Sequence, residues 1–262
     1  MVDQLVIADE IDFPDPSLFI TEDDTPVDNF ASAKQQRLLV SALYSALTDR
    51  VFLAEANVGI YHAVSQPAIV PDVFVSFNVQ VPEAWWEKPN RCYMVWNFGK
   101  PPEIAIEVVS NQVGNELTDK LRIYEQMRVS YYVVYDPSHQ LGEQTLYLFE
   151  LRGVCYSEIA DTWLEQVGLG LTLWQGEFEG RQDTWLRWQD QAGNLLQLGD
   201  EQAVQERQRA EQERQRAEQE RQRAEQERQR AEQERQRAEQ ERQRADRMAE
   251  LLRAQGIDPD QI

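Results

Sequence analysis

Five consecutive copies of the heptad Ala-Glu-Gln-Glu-Arg-Gln-Arg run from Ala210 to Arg244, and they confine any globular fold to the residues before them. Alanine alone marks the period, at 203, 210, 217, 224, 231, 238 and 245. One small apolar position per heptad falls short of the two that a stable coiled coil uses. Helix propensity is high throughout. Glu211 stands three residues before Arg214, and Arg214 four before Glu218, so charge pairs worth about 0.2–0.5 kcal/mol each recur along the segment. The spacing predicts a solvated, charge-paired helix over 200–255, roughly 80 Å long at about 1.5 Å per residue. Weak self-association through the alanine face is the alternative. Met248, Leu251 and Leu252 make a small apolar patch near its end, and Gly256 and Pro259 mark the stop before a tail at 256–262. With 16 acidic and 14 basic side chains from 201 to 262, the segment is no basic nucleic-acid arm. A spacer or an oligomerisation arm is the simplest role, which makes a homo-oligomer, in the simplest case a dimer, the expected assembly.

The remaining residues are strongly acidic. Of 46 acidic and 26 basic side chains in the chain, residues 1–200 hold 30 and 12, a net of −18. Residues 1–28 contribute nine acidic side chains and no lysine or arginine; with Pro14, Pro16 and Pro26 they read as an extended or disordered arm. A sharper reading makes that arm a mimic of nucleic-acid charge that covers the site. Residues 29–200 still carry −9. Tight, unaided binding of duplex DNA normally needs a basic face, because counterion release supplies most non-specific affinity. Lys88, Arg91, Lys100, Arg122 and Arg128 could form only a local basic rim. No apolar run reaches membrane-spanning length and no signal segment leads the chain, so a cytoplasmic protein is expected. Cys92 and Cys155 are far apart, and His62 and His139 form no cluster with them, which argues for free thiols and against zinc. There is no glycine-rich phosphate loop or dinucleotide fingerprint.

Hydrophobic periodicity places the elements. Ala31 to Leu47 predicts a helix with Leu38, Leu39, Ala42, Leu43, Ala46 and Leu47 on one stripe. Strands are expected over Val51–Ala63 and Ala68–Phe77, with a turn at Ser65-Gln66-Pro67, and over Ile104–Val109. Asn115–Met127 predicts a helix on Leu117, Leu121, Tyr124 and Met127, followed by a strand at Tyr131–Tyr135 that stops at Asp136-Pro137. Strands at Thr145–Leu151 and Val154–Ile159, with the aromatics through Trp188, should complete the sheet. The connection 82–102 is long for a strand link and carries Trp85, Trp86 and Trp96. It is either a lid whose rings stack on unpaired bases or, the preferred reading, an apolar cover for the sheet or a subunit interface.

Within this frame Asp72 immediately precedes one strand, Glu107 lies inside another, and Lys120 sits in the middle turns of the following helix. Two carboxylates and a lysine converging at a sheet edge suit a metal-dependent phosphodiester hydrolase. The same residues also suit a stabilising network, because a glutamate inside an apolar strand needs a partner and Lys120 can supply it. Glu55 is either an extra ligand or, preferably, an exposed strand residue.

Asp72, Glu107-Val108-Val109-Ser110, Lys120, Tyr124 and Tyr131 through Asp136 together resemble the Uma-two family, restriction-endonuclease-like proteins of the PD-(D/E)XK nuclease superfamily. The resemblance covers roughly residues 30–190. It implies an α/β fold over 29–195, a restriction-endonuclease-like mixed sheet flanked by helices, with the long charged helix outside it. The superfamily's lysine usually follows the glutamate by two residues, where this chain has Val109. The resemblance is to variants whose lysine has moved to the next helix, which nominates Lys120. It further implies an endonuclease acting on DNA with Mg2+ or Mn2+ held by Asp72 and Glu107, assisted by the Val108 carbonyl. Lys120 would position water, and Ser110, Glu116 and Tyr124 would supply supporting hydrogen bonds. The chain departs from the family's commoner wording at Asn111 (proline), Glu116 (aspartate), Arg128 (glycine) and Ser130 (glutamate). A non-catalytic scaffold that keeps the fold and assembles through its helix is the alternative.

Overall fold

A computed structural model describes residues 29–110 and 115–254. The acidic arm at 1–28, Asn111 and the tail at 256–262 lie outside the described residues. The element order is α1 (Phe30–Ala46), β1 (Phe52–Ala56), β2 (Ile60–Tyr61), β3 (Val73–Phe77), β4 (Tyr93–Met94), α2 (Val95–Phe98) and β5 (Ile104–Val108). It continues with α3 (Leu121–Met127), β6 (Tyr131–Tyr135), β7 (Leu146–Arg152), β8 (Cys155–Glu158), β9 (Trp163–Leu164), β10 (Leu169–Phe178), β11 (Arg181–Gln189) and α4 (Gly199–Ala254).

Six strands form one mixed sheet in the order β1-β3-β5-β6-β7-β8. Within it β5 and β6 are parallel, joined through α3, while the other neighbours are antiparallel. Every residue of β3, β5 and β6 is buried, so these strands read as continuous apolar runs rather than alternating ones. Alternation still sorts the side chains. Val73, Val75, Ile104, Ile106, Val108, Tyr131, Val133 and Tyr135 pack with Leu39, Ala42 and Leu43 of α1 on one face. Phe74, Ala105, Tyr132 and Val134 pack with Tyr124 and Met127 of α3 on the other.

The first core face is closed by a second sheet. The aromatics after residue 160 do not complete the main sheet as expected; β9, β10 and β11 form a separate three-stranded antiparallel sheet. Its Leu169, Leu171, Leu186 and Trp188 enter the core beneath α1, and Trp188 Nε1 donates to the Leu39 carbonyl at 3.0 Å. Gln35 ties α1 to the outer edge of β11, the side away from β10. Its Nε2 donates to Leu186 O at 2.8 Å and its Oε1 accepts from Leu186 N at 3.0 Å, both buried. The β10–β11 turn at Glu179-Gly180 has positive φ at both residues, the requirement of the mirror-image hairpin turn. A glutamate is held there by Lys34 and Arg37 of α1, each 2.6 Å from its Oε2.

Two further expectations are corrected. The strand over 51–63 is broken at Asn57, which takes φ +56 and turns the chain out of β1. Segment 82–102 is not a bare loop. It holds a 3-10 turn at Lys88–Asn90, α2, and β4 paired in parallel with β2. Tyr93 is buried in it and Trp96 packs beside Tyr61, Cys92 and Met94. Arg128 adopts φ +69 at the C-terminus of α3. That left-handed position is the one a helix end most often gives to glycine.

The chain divides into two compact units between Gly199 and Asp200. Taken by itself, α4 spans 56 residues. Its repeat is bonded differently from the expectation. Among the described residues the side-chain bonds run from the second glutamine of each repeat to the glutamate one turn earlier, as from Gln215 Nε2 to Glu211 Oε1 at 3.3 Å and again at 222, 229, 236 and 243. The i,i+4 spacing places these two short polar side chains on one face. No described helix is long and apolar enough to cross a membrane.

Gln35→Ala leaves the backbone N–H and C=O of Leu186 buried and unpaired, which should lower stability by about 1–3 kcal/mol. Urea denaturation of the full chain measures this loss, and Lys34→Ala, which removes an exposed contact, should cost less than about 1 kcal/mol.

Candidate active site

The β3–β5 register puts Val73 opposite Ile106. One step further along this antiparallel pair, Asp72 faces Glu107 on the side of the sheet covered by α3. Asp72 is locked in that position. Its Oδ2 accepts from the Val108 N–H at 2.6 Å and its Oδ1 accepts from Gln36 Nε2 at 2.8 Å. Gln36 is itself buried and accepts from Asn57 Nδ2 at 2.9 Å.

Glu107 is only 2 % exposed. Its Oε2 accepts from Lys120 Nζ at 2.8 Å and its Oε1 from the Tyr124 hydroxyl at 2.7 Å. The helix that supplies both donors does not begin as an α-helix. Glu116–Lys120 form a π turn, entered through Asn115 at φ +54, before α3 continues. The Lys120 N–H reaches back to Asn115 O at 3.2 Å. Such wide turns concentrate at functional sites because they redirect side chains that a regular helix would place elsewhere. Here Lys120 and Tyr124 both reach one carboxylate, and Lys120 also lies 3.4 Å from Glu116 Oε1.

Burial pushes the Glu107 carboxyl up to about 8; Lys120 opposes that rise and Asp72 adds to it. Burial works to lower the Lys120 ammonium, but Glu107, Glu116 and Asp72 outweigh it and hold the ammonium above the ordinary lysine value. Lys120 is therefore a fixed cation rather than a base at neutral pH. Burial, reinforced by Glu107, holds the Tyr124 phenol well above its usual range, so it remains a proton donor.

These side chains fit a hard divalent cation. Three carboxylates, Asp72, Glu107 and Glu116, are set against one ammonium, and Glu116 Oε2 is buried with no hydrogen-bond partner. Among the described residues no group of three or more His, Cys, Asp or Glu side chains is placed to hold a metal ion, so a cation here would rest on the Asp72–Glu107 pair and water. Mg2+ suits that arrangement, since it takes one or two carboxylates and keeps several waters.

The other nominated residues fall as follows. Ser110 is exposed just beyond β5. Glu55 lies on the same sheet face as Asp72 but one row away, opposite Phe74. The five basic residues form no single rim. Lys100 pairs with Glu103 before the start of β5, and Arg128 donates to Gly153 O beyond the end of α3; both are at the ends opposite Glu107 and Lys120. Sequence reasoning missed Gln36 and Asn57. Their only signals were a polar pair, Gln35-Gln36, inside an otherwise apolar helix face and an asparagine ahead of Val58-Gly59.

A buried carboxylate facing a second one, with a lysine delivered from the next helix, on a mixed α/β sheet, is an arrangement suited to phosphodiester hydrolysis. The chain belongs to the Uma2 family, described as "Putative restriction endonuclease", whose model matches residues 21–173. It is also similar in structure to a "putative nuclease belonging to DUF820" from Anabaena variabilis. That similarity covers 53% of this chain and 72% of that one at 15% identity, with a TM-score of 0.38. No curated protein matches the chain.

Two outcomes follow from this geometry. Gln36→Ala frees Asp72 and should weaken Mn2+ binding by about 10- to 100-fold, the usual effect of removing a residue that orients a ligand; calorimetry reads it directly. A carboxyl raised on folding stabilises the fold fully below its unfolded value near 4.5 and loses that contribution as pH rises through about 8. Thermal stability of the metal-free protein should therefore fall across that window. Mn2+ should restore it at pH 8, and Glu107→Gln should flatten the dependence.

Proposed function

We propose that the domain is a metal-dependent nuclease that hydrolyses DNA phosphodiester bonds, with Asp72, Glu107 and Lys120 as its catalytic residues. The observation that carries this reading is the opposed Asp72–Glu107 pair with Lys120 at 2.8 Å from Glu107. Asp72 and Glu107, with the Val108 carbonyl beside them, would hold Mg2+ or Mn2+. When bound, such an ion supplies Lewis-acid polarisation of the phosphate and lowers the pKa of water.

The chain's own residues do the positioning. Gln36 and the Val108 N–H hold Asp72, while Tyr124 and Lys120 fix both oxygens of Glu107 in one rotamer. The Lys120 ammonium orients the attacking water and neutralises charge that develops on the phosphoryl oxygens. Glu116 keeps that ammonium from swinging towards solvent. Because residues 29–200 carry −9, the cation must supply local positive charge that the protein surface lacks.

That same acidic surface favours a second reading, a non-catalytic scaffold assembling through α4. A scaffold has no use for a divalent ion at Asp72, so calorimetry with Mg2+ and Mn2+ on wild type and Asp72→Ala separates the two. For the nuclease, Glu107→Ala should abolish metal-dependent cleavage of plasmid and single-stranded DNA. Lys120→Ala should reduce it by about 10²- to 10³-fold, the scale of one lost electrostatic donor. Cleavage that survives Glu107→Ala excludes the assignment.

A further inference from the structure

A cavity of about 400 Å³ opens on the Glu107 side of the main sheet. Leu53 and Phe74 line it from β1 and β3, Trp85 and Trp86 from the following segment, and Glu55 and Arg91 bring polar groups to it. Its volume lies in the range of about 300–1,000 Å³ found for small-molecule sites, as does its plan of apolar walls with a few polar groups. Phe74 is two residues from Asp72 on the same strand face, about 7 Å along β3. The cavity therefore lies on the same face of the sheet as the carboxylate pair, within about one nucleotide's length of it through Phe74, although neither Asp72 nor Glu107 lines it.

Its wall is a built structure. Trp85 and Trp86 meet edge to face, with ring centroids 5.6 Å apart. The Trp86 carbonyl accepts from Arg91 Nε at 3.0 Å, and the Ala84 carbonyl accepts from Asn90 Nδ2 at 2.9 Å and from the Glu87 N–H at 3.0 Å. Yet Trp85 is 56 % exposed and Trp86 78 %. The backbone that carries the two tryptophans is fixed by these bonds, and the exposed Trp86 ring is free to offer a face to a planar ligand.

We propose that this cavity is a nucleobase subsite: one unpaired base of a single-stranded DNA segment stacks on the exposed face of Trp86, beside the edge-on Trp85 ring, while a neighbouring phosphate lies towards Asp72 and Glu107. The proposal rests on the nuclease reading and specifies its substrate. Charge supports it. A domain with a net of −9 cannot draw much affinity from phosphate contacts, whereas base–aromatic stacking is independent of net charge. A base inside a duplex is already stacked and paired, so it reaches such a cavity only after being unpaired. Glu55 opposite Phe74 can accept from the exocyclic amino group of cytosine or adenine, which thymine lacks.

The test uses the full chain with Ca2+ in place of Mg2+ or Mn2+, a hard cation that can neutralise the carboxylate pair, and in EDTA alongside, with fluorescence anisotropy of labelled oligo(dC), oligo(dT) and a duplex of equal length. The single strands should bind more tightly than the duplex, with a shallow dependence on salt. Trp86→Ala should weaken single-strand binding by about 5- to 150-fold, the range one stacked ring supplies, and Trp86→Phe should retain most of it. Trp86 is exposed enough that neither change threatens the fold. Glu55→Gln should narrow the preference for oligo(dC) over oligo(dT). Equal binding of duplex and single strand, no binding of either, or binding indifferent to Trp86→Ala overturns the subsite. Stacking-dependent binding by a protein that never cleaves DNA, with any divalent ion, overturns the nuclease reading and leaves the subsite standing.

Discussion

The burial of Glu107 inside β5 is the constraint to which the surrounding architecture answers. A carboxylate in the middle of a fully buried strand costs several kcal/mol unless its oxygens are satisfied. Both are. Lys120 and Tyr124 reach them only because the helix between β5 and β6 opens with a π turn. The parallel β5–β6 pairing requires a crossover connection, and that crossover is the element that delivers the two donors. Topology and charge compensation are thus one solution.

Asp72 shows the same logic on the neighbouring strand. It stands just before β3, opposite Glu107, and the backbone of β5 binds it through the Val108 N–H. Gln36 then links it to α1, the helix that covers the opposite core face and is itself tied to the second sheet by Gln35. Adjacent residues of α1 therefore serve different ends: Gln35 secures β11 and Gln36 orients a candidate ligand. An excess of carboxylates over ammonium groups remains in this cluster, and a cation would resolve it.

Much of this was legible in the amino-acid order. The β-branched runs at 73–77, 104–108 and 131–135, the apolar stripe of α1, the helix carrying Lys120 and the charged heptads all lie where periodicity places them. Residues whose side chains are polar but whose role is internal were not legible. Gln36 looks like an exposed helix residue, and Asn57 like an ordinary strand residue, until the strands around them pair. The second sheet was missed because period-2 alternation marks a strand without marking the sheet it joins. The basic rim dissolved for a similar reason: position along the chain does not say at which end of a strand or helix a side chain finishes.

The order of residues alone determines the long periodic segments, α1, β3, β5, β6 and the charged helix, because those depend on interactions within one or two turns. It also brings Asp72, Glu107 and Lys120 forward as candidates, since their residue types and elements are local facts. Tertiary structure decides that Asp72 faces Glu107, that Lys120 and Tyr124 share one carboxylate, and that Trp85 and Trp86 line a cavity with Phe74 on that face of the sheet. These depend on strand register and on which faces are covered, quantities set by packing between segments distant in the chain.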